Sequence, residues 1–85
     1  MMSQAAPDLI SADDTLDTLG HYCPMPIIFT VKRMKRLEVG QVLLVLSNDP
    51  GILKDMPAWC SAAGQGLLRT DEAQGIYRCY VKKLK

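Results

Sequence analysis

The segment best suited to chemistry contains a cysteine, Cys23, followed closely by Pro24 and Pro26. Proline is tolerated in the first turn of a helix, because the N–H that it lacks has no intrahelical partner there. The spacing therefore predicts that Pro24 is the first helical residue and Cys23 the N-cap. A thiol in that place faces the positive end of the helix dipole, which lowers its pKa. We expect Cys23 to be a reactive thiolate.

The residue three positions after Cys23 is Pro26, where a thioredoxin-type site needs a second thiol to close a disulfide. Cys23 is better suited to accepting a group and passing it on. The group could be sulfane sulfur held as a persulfide, or an acyl or redox adduct. Cys60 and Cys79 lie in apolar patterns and are predicted to be core residues, with sulfur relay or oxidation as the alternative.

The pattern around Cys23 predicts the elements that must position it. A short strand over 15–19 is followed by an amphipathic helix over about 24–37, whose apolar residues form one stripe. The uninterrupted apolar run 41–46 predicts an interior strand contacted on both faces.

The second half of the chain predicts a helix and a hairpin. Pro57 interrupts the helical pattern, so we predict one turn and then a second helix that ends at Gly64. Alternating residues in the strand candidates 67–70 and 76–82 predict the hairpin. The fold class is therefore α/β (α+β), in the order βαβαββ: a two-layer sandwich of a four-stranded mixed sheet with two helices on one face.

Composition limits the possible functions. The 85 residues allow one domain, predicted over 14–85 after a flexible N-terminal tail over 1–13. Three cysteines are too few for a secreted disulfide scaffold, and no zinc-type spacing occurs. The net charge of +1 favours neither nucleic acid nor lipid. With no export signal or membrane-spanning run in the sequence, we predict a cytoplasmic protein without membrane or direct nucleic-acid partners.

The residues around Cys23 resemble a known family. Cys23-Pro24-Met25-Pro26 fits the C-P-x-P signature of the TusA (SirA/YhhP-like) sulfur-carrier family. The flanks match at the same spacing: Leu16-Asp17-x-x-Gly20 before the signature, Gly40 before the central strand, then Asp49-Pro50 and Asp55-x-Pro57. The likeness covers about residues 16–82, which is nearly all of the predicted domain.

The resemblance implies a βαβαββ fold and a sulfurtransferase that acts with partner proteins. Cys23 would accept persulfide sulfur from a donor such as a cysteine desulfurase and relay it to an acceptor protein. Family members serve tRNA thiolation, molybdenum-cofactor synthesis and sulfur oxidation. Asp49 and Asp55 match acidic positions near the active cysteine. No metal or organic cofactor is implied.

Several residues have simpler interpretations beside functional ones. Pro24, Pro26, Gly20 and Asp17 are expected to support the active-site turn. Asp49 is expected to cap the second helix, and could also position a partner's thiol. His21 is interpreted as a solvated loop residue, although it could modulate Cys23. A carboxylate near a thiolate raises its pKa, so the acidic residues do not activate Cys23.

The first helix carries a basic cluster, Lys32, Arg33, Lys35 and Arg36. Such a cluster is by default a solvated helix face, but it could also dock an acidic sulfur donor or acceptor, together with Asp49 and Asp55. Two rivals to the carrier remain: a nucleic-acid or regulatory binding module that uses this basic face, and a thiol redox sensor. Replacing Cys23 by serine separates carrier from binding module, because only the carrier loses its function.

Overall fold

The computed structural model describes residues 10–85 and contains, within them, four strands and two helices in the order βαβαββ. The order confirms the sequence prediction. The elements are β1 (Asp14–Asp17), α1 (Met25–Met34), β2 (Val42–Ser47), α2 (Ile52–Ala63), β3 (Gly66–Ala73) and β4 (Ile76–Lys82). The predicted tail falls mostly on residues 1–9, outside the described part. Asp13 is described, and it exchanges hydrogen bonds with Val42 of β2.

The strands form one mixed sheet in the spatial order β1-β2-β4-β3. β1 pairs in parallel with β2, whereas β4 is antiparallel to both β2 and β3. The two helices contact each other and pack on the same sheet, α1 against β1 and β2, and α2 against β3 and β4. This is the predicted two-layer sandwich.

The core lies between the sheet and the two helices. The strands contribute Leu16, Leu43, Val45, Cys79 and Val81, and the helical layer contributes Met34, Leu37, Ile52, Met56 and Cys60. Alternate residues of a strand point to opposite faces of the sheet. Burial of these side chains on one face therefore fixes the register of the sheet and the position of both helices on it.

The prediction that β2 is contacted on both faces is confirmed only in part, because on the face away from the helices Val42 is buried but its neighbours are not. Leu43 and Val45 are fully buried under the helices, but Leu44 and Leu46 point to the other side and are half-buried. Their cover comes from neighbours within the sheet, such as Tyr80 beside Leu44. An interior strand is apolar throughout because strands flank it, even where no described helix lies over it.

Helix ends differ from the predictions. The regular helix α1 ends at Met34 rather than Leu37, although Leu37 is still buried. The helix α2 runs through Pro57 without the predicted break. A proline removes the hydrogen bond to the carbonyl four residues earlier, here that of Leu53, and this residue is exposed to solvent. The interruption is therefore tolerated within one continuous helix.

The hairpin is longer than predicted, because β3 extends to Ala73 and leaves a turn of two residues, Gln74 and Gly75. Both have positive φ angles, of 56° and 81°. This turn conformation matches the right-handed twist of the two strands that it connects. Glycine adopts it readily, whereas glutamine adopts it at a cost.

Candidate functional site

Cys23 lies in the turn between β1 and α1, and its side chain is exposed. The predicted cap is wrong by one residue. The N-cap is Pro24, whose carbonyl accepts the N–H groups of Ile27 and Ile28 at 3.1 Å each. Met25 is therefore the first helical residue and Pro26 the second, where its missing N–H would have no intrahelical partner. The Cys23–Pro24 peptide bond is cis.

The backbone of Cys23 is held by a residue from the other side of the site. Asp49 accepts the N–H of Cys23 at 2.9 Å and, through its other oxygen, the N–H of Gly51 at 3.2 Å. Gly51 is the N-cap of α2, so the expectation that Asp49 itself caps this helix is wrong. Asp49 instead joins the turn that carries the thiol to the turn that starts α2.

The same turn is fixed at its start by polar contacts. Asp17 accepts the N–H of Leu19 at 2.8 Å, and Gly20 donates its N–H to the side-chain oxygen of Asn48 at 3.0 Å. Gly20 has a φ of +83°, a conformation that favours glycine. From the sequence, no role was assigned to Asn48. The sequence signal for this contact is the polar pair Asn48-Asp49 directly after β2. The end of β2 lies beside the end of its parallel neighbour β1, so this pair is close to the turn after β1.

The electrostatics of Cys23 are opposite to the expectation. Asp55 accepts a hydrogen bond from the thiol and raises its pKa above the ordinary value; partial desolvation and the negative charges of Asp55 and Asp49 act in the same direction. Cys23 precedes the N-cap residue Pro24, and the two carboxylates favour its protonated form. The resting group is therefore a protonated thiol at neutral pH.

Apolar side chains flank Cys23 on the surface. Tyr22 is 69% exposed and Met25 is 36% exposed. Exposed apolar groups around a reactive atom are typical of a surface that contacts other proteins. Their exposure depends on the conformation of the turn, and hydrophobic periodicity does not predict which turn residues are exposed.

The basic cluster is divided between two places. Lys32, Arg33 and Arg36 line a groove of about 390 Å³ beside β1, together with Leu16, Asp17, His21 and Phe29. Lys35 lies away from it, in a smaller cavity of about 190 Å³ that is also lined by Trp59 and Lys85. Arg33 forms an ion pair of 3.0 Å with Asp14, and its guanidinium lowers the pKa of that carboxyl.

The other two cysteines lie in the core, as predicted. Cys60 is 3% exposed and Cys79 is fully buried. Burial raises the pKa of Cys60 to about 11 and also raises that of Cys79. Both are therefore protonated and shielded from reagents in the native state. Across residues 10–85, no group of three or more His, Cys, Asp or Glu side chains could hold a metal ion, and no helix could span a membrane.

These features define a small α/β domain that exposes one cysteine in a turn fixed by two carboxylates. The family described as "Sulfurtransferase TusA" matches residues 14–83. Since this is most of the chain, the protein belongs to the TusA family. The resemblance carried by the C-P-x-P signature and its flanks is thereby confirmed.

Known relatives agree with this assignment. An Archaeoglobus fulgidus protein is 41% identical over 70 residues, which are 82% of this chain and 96% of the relative. An Aquifex aeolicus protein is 39% identical over 74 residues, 87% of this chain, but this chain spans only 38% of that protein. Both bear the name "Putative sulfur carrier protein".

A solved structure shows the same fold. The crystal structure of a SirA-like protein from Desulfitobacterium hafniense superposes with a TM-score of 0.74, covering 85% of this chain and 99% of that one. The identity is 23%. The two-layer arrangement therefore occurs in a solved protein with few residues in common.

Proposed function

We propose that this protein is a sulfur carrier that holds sulfane sulfur as a persulfide on Cys23 and passes it to an acceptor protein. The observation that carries the proposal is the isolation of one exposed thiol at the site, while Cys60 and Cys79 are buried. A single thiol without a resolving partner can receive a sulfur atom and release it again. Membership of the TusA family supports this chemistry.

The loading step conserves atoms and electrons. The Cys23 thiol gives up its proton, and its sulfur attacks the outer sulfur of a donor persulfide, R–S–S⁻. The S–S bond of the donor breaks as a new one forms on Cys23, and the leaving thiolate of the donor takes up a proton. Delivery repeats the exchange, with an acceptor thiolate attacking the outer sulfur on Cys23. No external oxidant or reductant is needed.

Asp55 has a direct part in this step, because it accepts the hydrogen bond of the thiol. It keeps the unloaded thiol protonated until a donor arrives. Asp49 positions the sulfur through the backbone N–H of Cys23. Pro24, Pro26, Gly20 and Asp17 shape the turn around it.

The partners are proteins that contain a reactive sulfur. A cysteine desulfurase or another persulfide donor would load Cys23, and the acceptor would serve tRNA thiolation, molybdenum-cofactor synthesis or sulfur oxidation. We expect this exchange to occur in the cytoplasm, where reducing conditions keep a thiol free. Asp49 and Asp55 would contact these partners, because both interact with Cys23. The basic cluster farther along would attract acidic partners.

The test is the intact mass of the protein after incubation with a cysteine desulfurase, cysteine and pyridoxal phosphate. The wild type should gain one sulfur atom that a reductant removes, and Cys23→Ser should gain none. Cys60→Ala is the matched control and should load like the wild type, because its thiol is buried. Failure of the wild type to load with any competent donor, or loading of Cys23→Ser, contradicts the proposal.

A further inference from the structure

The groove beside β1 has no role in the sulfur exchange described above. It lies between the edge strand β1 and the helix α1, and it begins at His21 in the turn that carries Cys23. Its volume of about 390 Å³ is within the range of binding sites, roughly 300–1,000 Å³. A groove of this size next to a reactive turn is suited to recognition.

One wall of the groove is cationic. Lys32 lies in the last turn of α1 and Arg36 just beyond the end of this helix. Neither forms an ion pair with another residue of 10–85, although the charge of Arg36 also lowers the pKa of Asp14. Arg33 is paired with Asp14, and the Asp17 carboxylate accepts the N–H of Leu19. Three cations, Lys32, Arg33 and Arg36, therefore outnumber the two carboxylates, Asp14 and Asp17, and the excess positive charge favours an anion.

Apolar and aromatic side chains also line the groove. Leu16 of β1 and Phe29 of α1 line it, and the ring of His21 meets the ring of Phe29 edge-on at 5.0 Å. Within the described residues, β1 has a neighbouring strand on one side only. An extended chain with an apolar side chain next to an acidic one matches this combination of apolar and cationic side chains.

The separation from Cys23 favours a protein segment over a small molecule. At 1.5 Å per residue, Lys32 lies on the order of 10 Å along α1 from its first residue, Met25. A small ligand held between Lys32 and Arg36 does not also place a sulfur atom on Cys23. An extended peptide rises about 3.3 Å per residue, so roughly three to five residues connect the two places.

We propose that the groove binds an acidic segment of the partner protein, and that the partner's reactive cysteine lies roughly three to five residues from those acidic side chains. This inference rests on the proposed function. It assigns Lys32 and Arg36 to the acidic side chains, and Leu16 and Phe29 to an apolar side chain beside them. Duplex nucleic acid fits less well, because a phosphate backbone would leave Leu16 and Phe29 without an apolar partner.

The experiment uses synthetic peptides whose cysteine is activated as a mixed disulfide with thionitrobenzoate. Cys23 attacks the peptide sulfur, a peptide–Cys23 disulfide forms, and the coloured thiolate leaves. In a series that places a Glu-Glu-Leu unit from one to nine residues after the cysteine, the rate should peak at about three to five. Lys32→Glu and Arg36→Glu should slow the best peptide on the order of tenfold at low salt.

Lys85→Glu is the matched control, because it makes the same charge change in the smaller cavity away from the groove. It should leave the rate with the best peptide nearly unchanged. Rates that do not depend on spacing, or an equal loss in Lys85→Glu, overturn the proposal, as does tighter binding of a phosphate-rich oligonucleotide than of the acidic peptide. Persulfide loading of Cys23 by the desulfurase is measured separately, so the groove can fail while the carrier function stands.

Discussion

The carboxylate of Asp49 accepts the backbone N–H of Cys23 at 2.9 Å, although the two residues are 26 positions apart. Its second oxygen accepts the N–H of Gly51 at the start of α2. One side chain thus joins the turns that precede the two helices. The position of the reactive sulfur depends on this contact as well as on the proline residues next to it.

Replacing Asp49 by alanine should lower the free energy of unfolding by about 1–2 kcal/mol, because two backbone donors lose their partner. Asp49→Asn keeps acceptor capacity at this position and should cost less. Urea denaturation of the two variants and the wild type measures the difference. An Asp49→Ala protein as stable as the wild type would show that this hydrogen-bonded link is of no energetic importance.

Replacing Asp55 by asparagine should lower the pKa of Cys23. The carboxylate favours the protonated thiol, so its removal favours the thiolate, which then forms at lower pH. The measurement is the rate of Cys23 alkylation as a function of pH, whose midpoint should move down.

The control for Asp55 is Glu72→Gln, which removes one negative charge in the distant hairpin, where Glu72 accepts the N–H of Gly75. Its alkylation midpoint should match that of the wild type. A midpoint that stays in place or moves up in Asp55→Asn contradicts the assigned role.

Alkylation of the native protein should modify one cysteine of three. Cys23 is exposed, whereas Cys60 and Cys79 are buried and burial raises the pKa of Cys60 to about 11. Mass spectrometry after iodoacetamide treatment at neutral pH should show a single adduct on Cys23, and treatment in denaturant should show three. Rapid native labelling of Cys79 would contradict the packing of β4 against the helices.

Replacing Lys83 by methionine should destabilise the end of α1. Its ammonium group donates to the carbonyl oxygens of Met34 at 2.9 Å and of Leu37, just after the helix, at 2.7 Å. The Met34 carbonyl also accepts the N–H of Leu37 at 3.2 Å. We expect a loss of about 1–2 kcal/mol in the free energy of unfolding, measured with urea. Lys54→Met, on the exposed side of α2, is the control. Equal effects of the two changes would exclude a specific role for Lys83.

The fold was predictable because its signals are local. The apolar run that contains Leu43 and Val45 identified the interior strand, and the alternation through Cys79 and Val81 identified the hairpin strand. The sequence-based predictions were wrong at residues whose surroundings in the folded protein change a local preference. Pro57 remains inside α2 because the affected carbonyl is on an exposed residue, and Leu37 stays buried although the regular helix ends earlier.

The sequence by itself determined the order of the elements, the two buried cysteines and Cys23 as the candidate site, because periodicity and the C-P-x-P spacing are properties of adjacent residues. Only the tertiary structure decided the direction of the Cys23 pKa shift, the role of Asp49 and the division of the basic cluster. Each depends on groups brought together from separate segments. Hydrogen bonding and charge interactions act over distances in space, and separation along the chain does not reveal those distances.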